Sequence, residues 1–318
     1  MDCPSSIRLA NALSFLATTN QQHVLRYLAL LEARNYASST LLVVAGALKS
    51  LTRHLPDTRQ AALIADLTQT TSQDISDFVC AAQKAGLAST TINTKLSLLI
   101  EFFEFLREEG LITQQPILRR RHRLLTPTTL PKPIHQIVLV AFFKVIDSIR
   151  DRLIFLLMLR CGLRVSEVCA LTWEAIDFND GTARINNGKG QVDRIAYLSS
   201  DVEQALKTWR SHKQTGEYLF PSNKRKGAPL TRFQINDLMK KYLKAANITK
   251  RYSPHCLRHS FATELLNAGV SLEVLKELMG HRSIHITLRY TQLYETTKRQ
   301  QYDQAMTKIE QRHAINGR

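Results

Sequence analysis

Each of two short segments of the sequence places an arginine close to a second ionisable residue that could act together with it. Arg164 and Glu167 are three residues apart in Gly162-Leu163-Arg164-Val165-Ser166-Glu167. On a helix this spacing puts both side chains on one face. A surface ion pair of this kind contributes little to stability. The flanking residues are apolar, however, which favours an arginine that is partly buried with its acid or directed at an anion.

His255 and Arg258 form the second segment and are also three residues apart. Pro254 precedes them and suits the first turn of a helix. The N-terminus of a helix attracts anions through its free N–H groups and its dipole. A planar guanidinium beside that end matches the oxygens of a phosphate. This pattern therefore favours binding of a phosphate.

A zinc site is the alternative reading of the histidines. His255 and His259 are four residues apart, as are His281 and His285, and such pairs can bind zinc. The HExxH motif is absent because Cys256 occupies the glutamate position. No further acidic or cysteine ligand is evident, so we predict no metal ion.

Lys189 and Tyr290 are the remaining candidates for chemistry. Lys189 lies between two glycines in a sequence typical of a tight hairpin turn, and GxxxxGK[ST] is absent. It is either a solvated turn lysine or a lysine on a mobile hairpin that reaches a leaving group. Tyr290 follows His281 by nine residues. Alone, a tyrosine is more often a packing or surface residue than a nucleophile.

The elements that position these residues can be read from apolar periodicity and from helix end signals. Residues 1–118 are predicted to be all-helical, with helices at 23–32, 41–51, 72–86 and 92–109. Residue 72 is the expected cap of the third. Beyond residue 130, helices are predicted at 142–160, 165–171, 201–212, 231–246, 254–269 and 271–280. Two strands, 182–187 and 194–199, flank the turn that contains Lys189.

Composition limits the class of protein. The chain has 318 residues, of which 44% are hydrophobic and 22% charged, values of a globular protein with two domains of ordinary size. No apolar run approaches the roughly 20 residues that span a bilayer, and the first residues do not resemble a secretion signal. Five scattered cysteines without a CxxC pair argue against a disulfide framework and favour a reducing cytosol.

The charge is divided unevenly along the chain. The net charge is +16, with −1 in residues 1–118 and +17 in residues 119–318. Such an excess favours a polyanionic partner. The change begins at a basic run, and three prolines follow it within residues 127–133. We predict a helical domain at 1–118, an extended basic and proline-rich linker at 119–133, and a second domain at 134–318. The basic run is either solvated or contacts phosphates; it comprises Arg119, Arg120, Arg121 and Arg123.

By the types of six residues and their order along the chain, the sequence resembles the tyrosine recombinases. This family comprises phage-type integrases and Xer-like site-specific DNA recombinases. The resemblance covers essentially the whole chain, and residues 74–110 are similar to the end of the family's helical core-binding domain. It implies a multidomain, mainly α fold: an N-terminal helical, SAM-like core-binding domain and an α+β catalytic domain with a small antiparallel sheet. The six residues are Arg164, Lys189, His255, Arg258, His281 and Tyr290.

The resemblance implies covalent catalysis at a DNA phosphodiester. Tyr290 would attack the phosphorus and form a 3′-phosphotyrosyl bond, which retains the energy of the ester, so that neither ATP nor a metal cofactor is needed. Lys189 would protonate the 5′-oxygen that leaves. Tyr294 is a second tyrosine close by, and the spacing from His281 favours Tyr290.

The other residues would support this reaction. By the resemblance, Arg164 and Arg258 would stabilise the charge that develops on the phosphate oxygens. His255 would hydrogen-bond the phosphate and help to manage the tyrosine proton, and His281 would donate a further hydrogen bond. Glu167 would orient the basic groups rather than transfer a proton.

The expected partner is double-stranded DNA, bound mostly through its backbone. The resemblance implies that the protein acts on DNA either as a homo-oligomer, namely a tetramer, or together with a related recombinase. It also implies accessory DNA-binding proteins. Apolar residues at helical spacing predict a helix over residues 296–313, which either packs on its own domain or docks in a neighbouring protomer. A further set of basic residues is expected to contact DNA from a helix near the groove, namely Arg232, Lys240 and Lys241.

The expected role is integration, excision or resolution of a mobile element or replicon. The expected location is the bacterial cytoplasm, at the nucleoid, with no membrane as a partner. Two other functions remain open at this point. A type IB topoisomerase uses similar chemistry but reseals the same strand, and a non-catalytic DNA-binding factor would lack the nucleophile or an arginine. All six positions are present in this chain.

Overall fold

The structure is a computed structural model that describes residues 11–126, 132–186, 193–212, 216–222, 225, 227–281 and 283–288, with parts of 302–310. The chain divides into two compact units, residues 1–128 and 129–318. Each unit has hydrophobic clusters of its own.

The first unit is helical, as the apolar periodicity predicts. Its core is formed by large apolar side chains from its four longer helices, α1, α2, α4 and α5. Thr71, and not Ser72, caps α4: its hydroxyl accepts from the backbone N–H of Asp74, whose carboxylate accepts from the N–H of Thr71. The helices are α1 Thr18–Ala33, α2 Ser38–Arg53, α3 Asp57–Ala65, α4 Ser72–Lys84, α5 Ser89–Glu108 and α6 Arg119–His122, and a short 3₁₀ turn, Leu67–Gln69, follows α3.

Helix α6 differs from the extended linker expected at this place. Its last residue, His122, is only 2% exposed. The ring accepts a hydrogen bond from the backbone N–H of Leu118 at 3.0 Å, and its other nitrogen lies 3.4 and 3.3 Å from the hydroxyl oxygens of Ser72 and Ser76 on α4. The buried histidine fixes the turn to the first unit. The four arginines of the basic run remain exposed.

The second unit packs helices around an almost wholly buried helix, α8, which contacts α10 and α12. A helix that is apolar on all sides is typical of such a central position. The elements are α7 Gln136–Lys144, α8 Ile149–Arg160, α9 Val165–Ala170, β1 Ile176–Asp177, β2 Thr182–Ile185, β3 Arg194–Tyr197, α10 Ser200–Ser211, α11 Arg232–Ala245, α12 Pro254–Asn267, α13 Leu272–Met279 and α14 Ile284–Thr287.

The single helix predicted at 142–160 is wrong, because two helices meet there. Helix α7 ends at Lys144, and Ser148 begins α8 by accepting a hydrogen bond from the backbone N–H of Asp151 at 3.4 Å. A serine hydroxyl competes for backbone donors and therefore favours a helix N-terminus over a helix interior. Both segments are apolar, so the periodicity continued across the break and concealed it.

A three-stranded antiparallel sheet in the order β1-β2-β3 lies beside these helices. Strand β2 pairs with β3 so that Arg184 lies opposite Ile195 and Ile185 opposite Arg194. Strand β1 was not predicted, since two residues are too short to show an alternating pattern. Among the helices of the described residues, none has the length and apolar character needed to cross a bilayer.

Candidate active site

The ends of two helices supply the frame of the candidate site. Helix α8 is followed by Gly162, at φ +61°, and α13 by Gly280, at φ +59°. This left-handed conformation strains residues with a Cβ atom. A Cβ atom on Gly162 would also overlap the ring of Phe261. Both helices thus end in glycine turns, and these direct backbone carbonyls of residues 162 and 278–280 toward nearby arginines.

Arg164 lies at the start of α9, directly after the first of these turns. Its Nη1 donates to Oε1 of Glu167 at 2.6 Å, and its Nη2 donates to the carbonyl of Gly280 at 2.9 Å. The side chain is 25% exposed. Arg164 is therefore held by α9 and by the end of α13 while a quarter of its side chain remains exposed.

Glu167 is 7% exposed and accepts from several donors. Its Oε2 accepts from the backbone N–H of Arg164 and from Nη2 of Arg194, each at 2.8 Å. Burial raises the pKa of Glu167, but the charge of Arg194, the Arg164 hydrogen bonds and the charge of Arg258 outweigh it, so the pKa lies below its usual value. An ionised carboxylate is the consequence, and it serves as the common counter-charge of the surrounding arginines.

Arg258 comes from the N-terminal part of α12, one turn after Pro254, and is 4% exposed. Its Nη1 donates to the carbonyl of Gly162 and its Nη2 to the carbonyl of Met279. Nη1 also lies 3.9 Å from Oε2 of Glu167. Arg258 thus joins the end of α8 to the end of α13, close to Arg164.

Two histidines lie in the field of these arginines. Desolvation lowers the pKa of His281 to about 4, and the charges of Arg258, Arg164 and Arg194 add to this effect. Desolvation also lowers the pKa of His255, again with help from nearby arginines. Both imidazoles are therefore neutral at pH 7. Nδ1 of His281 lies 3.0 Å from the hydroxyl oxygen of Thr287, which is fully buried.

Arg194 is the residue of this site that sequence reasoning missed. It begins β3, points inward and is 8% exposed. The available signal was the position of the arginine two residues before Ala196, which places both side chains on the inward face of the strand. It was ambiguous because the outward neighbours, Ile195 and Tyr197, are also apolar. We refer to Arg164, Arg194, Arg258 and Glu167 as the arginine cluster.

The structure brings together Arg164, Glu167, Arg258 and His281, and the charges of Arg164 and Arg258 reach His255. Lys189, Tyr290 and Tyr294 lie outside the described residues, as does most of the helix expected at 296–313.

The residues expected to contact DNA from α11 are exposed. The charge of Arg232 reaches His255, so the start of α11 lies close to the candidate site. Phe233, beside it, is 76% exposed. Lys240 lies 3.2 Å from Asp237, and Lys241 lies over the ring of Tyr242 at 5.0 Å.

The arginine cluster can bind an anion. Three guanidiniums share one carboxylate, which leaves an excess of two positive charges within the cluster. Neutral imidazoles beside them can exchange hydrogen bonds without adding charge. In the described part of the chain, no group of histidine, cysteine and acidic residues is suited to hold a metal ion. The arrangement fits a phosphate whose charge increases during reaction.

Comparison with known families decides the assignment. The model of the phage integrase family matches residues 134–297, and that of the phage integrase N-terminal SAM-like domain matches residues 24–110. The chain belongs to the phage integrase family. The resemblance to tyrosine recombinases and the expected fold class are therefore confirmed.

Curated relatives of the chain are named tyrosine recombinases. The chain is 34% identical to the tyrosine recombinase XerA of Pyrococcus horikoshii over 236 residues, which cover 72% of this chain and 77% of that protein. It is 32% identical to the tyrosine recombinase XerC of Bacillus subtilis over 244 residues, covering 72% and 79%. Tyrosine recombinases are DNA strand-transferring enzymes, so the expectation of an enzyme of this class is confirmed with the family.

Solved structures share the fold. A lambda integrase dimer bound to a COC′ core site matches with a TM-score of 0.68 and 20% identity, over 85% of this chain and 94% of that one. The Tn1549 transposon integrase in complex with a circular intermediate DNA matches with a TM-score of 0.62 and 20% identity, over 78% and 94%.

Proposed function

We propose that this protein is a site-specific recombinase that cuts and rejoins double-stranded DNA through a covalent 3′-phosphotyrosyl intermediate. The observation that carries the proposal is the arginine cluster, which holds two positive charges in excess beside two neutral histidines. A phosphodiester is the anion that this family's chemistry brings to such a site.

In the proposed reaction, the phenol oxygen of Tyr290 attacks the scissile phosphorus. A bond forms between that oxygen and phosphorus, and the bond from phosphorus to the 5′-oxygen breaks. The tyrosine proton passes to a base, for which neutral His255 is suited. Lys189 donates a proton to the leaving 5′-oxygen, which becomes a hydroxyl. A 5′-hydroxyl of a second duplex then reverses these steps and completes the strand exchange.

The other residues stabilise charge and geometry. Arg164 and Arg258 meet the negative charge that grows on the non-bridging oxygens, and their positions are fixed beforehand by carbonyls and by Glu167. Donors fixed in advance need no reorganisation during the reaction, which makes them effective. His281 donates through Nε2 when the Thr287 hydroxyl donates to Nδ1.

On DNA, we propose an oligomer of four protomers or a pairing with a related recombinase, together with accessory proteins. Among solved structures of this fold is a lambda integrase tetramer bound to a Holliday junction. Tyr302 and Ile309, in the expected C-terminal helix, are 60% and 48% exposed, which suits a contact with a neighbour. We further propose that residues 1–118 and 134–318 are the two domains. The protein acts at the nucleoid in the cytoplasm and serves a mobile element or replicon.

The test is the capture of the covalent adduct. The probe is a set of overlapping duplexes that cover the DNA flanking the gene, and each duplex carries a nick. Cleavage close to the nick releases a short strand with a 5′-hydroxyl end. This strand dissociates, so the protein cannot rejoin the DNA and stays covalently attached. We expect wild-type protein to form a detergent-resistant protein–DNA band on one duplex. Tyr290→Phe should abolish the band, since it removes the attacking oxygen.

Tyr294→Phe is the matched control and should retain the band. Loss of the adduct in Tyr294→Phe together with its retention in Tyr290→Phe would reject the assigned nucleophile. Relaxation of a supercoiled plasmid that lacks the captured site, without strand exchange at the site itself, would instead identify a topoisomerase.

A further inference from the structure

Arg194 is a buried member of the arginine cluster to which the proposed reaction assigns no step. It lies at the first position of β3, opposite Ile185 of β2, and only 5% of its side chain is exposed. Burial of a charge is costly unless partners compensate for it. Its partners therefore indicate what the residue does.

The contacts of Arg194 link three parts of the site. Nη2 donates to Oε2 of Glu167 at 2.8 Å and to the carbonyl of Gly162 at 3.3 Å, and Nη1 donates to the carbonyl of Leu278 at 2.7 Å. One side chain thus joins the sheet to the end of α8, to α9 and to the end of α13. The same helix ends hold Arg164 and Arg258.

The charge balance depends on the same contact. Burial raises the pKa of Glu167, and Arg194 is the strongest of the charges that lower it again. Without Arg194, the carboxylate would be balanced by Arg164 and Arg258 alone. These are the two side chains that the proposed function assigns to the phosphate, so their effective charge toward it would fall.

Two details show how closely Arg194 is fitted. A Cβ atom on Gly280 would lie 2.6 Å from Cδ of Arg194 and 3.0 Å from its Nε, so only a glycine leaves room for the side chain. That Nε is buried and, among the described residues, has no hydrogen-bond partner. An unsatisfied buried donor is uncommon in stable cores and requires an explanation. The position of Arg194 is explained by its contacts with Glu167 and with both helix ends, which orient the side chain so that its Nε has no partner among the described residues.

We propose that Arg194 is a positioning residue for strand cleavage: it binds Glu167 and the two helix ends, so that Arg164 and Arg258 keep their charge and orientation for the scissile phosphate. The inference rests on the proposed function. Arg194 is buried and acts through Glu167, so it is not assigned a contact with DNA.

The first test compares three variants on the duplex that wild-type protein captures. We expect Arg194→Gln to form the covalent adduct at least about tenfold more slowly under single-turnover conditions, a loss of about 1.4 kcal/mol of transition-state stabilisation. Its Kd for the same duplex should stay within about twofold of wild type. Arg194→Lys should be intermediate, because it restores the charge but not the planar fork of donors.

Arg184→Gln is the matched control. Arg184 is exposed on the neighbouring strand β2, directly opposite Ile195, so the same substitution in the same sheet should leave the rate unchanged. Circular dichroism and thermal unfolding of each variant report its folded fraction, and rates are compared per bound molecule. A purely structural role would lower the melting temperature without changing the cleavage rate of bound protein.

The second test is a double-mutant cycle with Glu167→Gln. If Arg194 acts through Glu167, then Arg194→Gln should slow cleavage less than about threefold once the carboxylate is gone. Fully additive effects would overturn the inference, and so would equal rates for wild type and Arg194→Gln. Those results leave the recombinase assignment intact. Absence of any adduct from wild-type protein would overturn the assignment and the inference together.

Discussion

At the residue scale, local spacing predicted which pairs of side chains would act together. Arg164 and Glu167 do form an ion pair, with Arg164 at the N-cap of a short helix and not within it, and Arg258 lies near the N-terminus of another helix. The sequence could not show that backbone carbonyls would hold these arginines, because the acceptors lie 21 to 116 residues away in the chain. Arg194 was missed for the same reason, since a buried arginine is identified by its tertiary partners.

His281 leads to a prediction about pH. Its imidazole binds a proton more weakly in the folded protein, with a pKa of about 4, than in the unfolded chain, where histidine titrates near about 6.5. Acid therefore favours the unfolded chain, and stability should decline as the pH falls from about 6.5 toward about 4. Urea unfolding at pH 7 and pH 5 should show a larger loss of stability for wild type than for His281→Gln, whose side chain does not titrate. Parallel losses in the two proteins would contradict the assignment of a neutral imidazole.

At the element scale, helix ends marked by glycine were predicted better than a break between two apolar helices. Gly280 ends α13 as expected, whereas Ser148 divides a segment whose apolar pattern is continuous. Glycines and capping residues act locally and are visible in the sequence, but a break between two apolar helices depends on which one the core buries. The short helix α6 was likewise hidden, because its only buried residue is the polar His122.

The turn after α8 gives a prediction about stability. Gly162→Ala should lower the free energy of unfolding by about 2 to 5 kcal/mol, because it combines the strain of a left-handed residue with a clash against the ring of Phe261. Urea unfolding measures the change. Gly46→Ala is the control: Gly46 lies in the exposed interior of α2 with open space around it, so the same substitution should stabilise by about 0.5 to 1 kcal/mol. Similar effects at the two glycines would contradict this account of the turn.

At the scale of the whole molecule, the division of charge predicted the class of partner but not the fold. Residues 119–318 carry the excess of positive charge, with a net of +17 against −1 in residues 1–118, and the family assignment agrees with a polyanionic substrate. Where the cations lie on each surface could not be predicted from the sequence, because exposure is a tertiary property. The basic run shows this, since its arginines are exposed around a buried histidine.

The basic run leads to a prediction about DNA binding. Each phosphate contact adds about 0.9 to the slope of log Kd against log salt concentration. If all four arginines bind the DNA backbone, replacing them with alanine should reduce that slope by about 3.6. Titration of the captured duplex at several salt concentrations measures it. The variant replaces Arg119, Arg120, Arg121 and Arg123.

A second variant with the same loss of charge separates contact from net charge. It removes four exposed cations from helices and one helix end of the first unit and should change the slope much less. Equal changes in the two variants would contradict a preferential contact of the basic run with the backbone. The control residues are Arg34, Lys49, Arg53 and Lys84.

The acceptors at the end of α13 have a consequence for how such chains can diverge. Leu278 and Met279 hold two arginines through their main-chain oxygens, which every amino acid possesses. Exchange of either side chain for another of suitable volume leaves those oxygens in place. Variation at these two positions is therefore compatible with an intact reaction centre, and a survey of residue types alone would overlook their contribution.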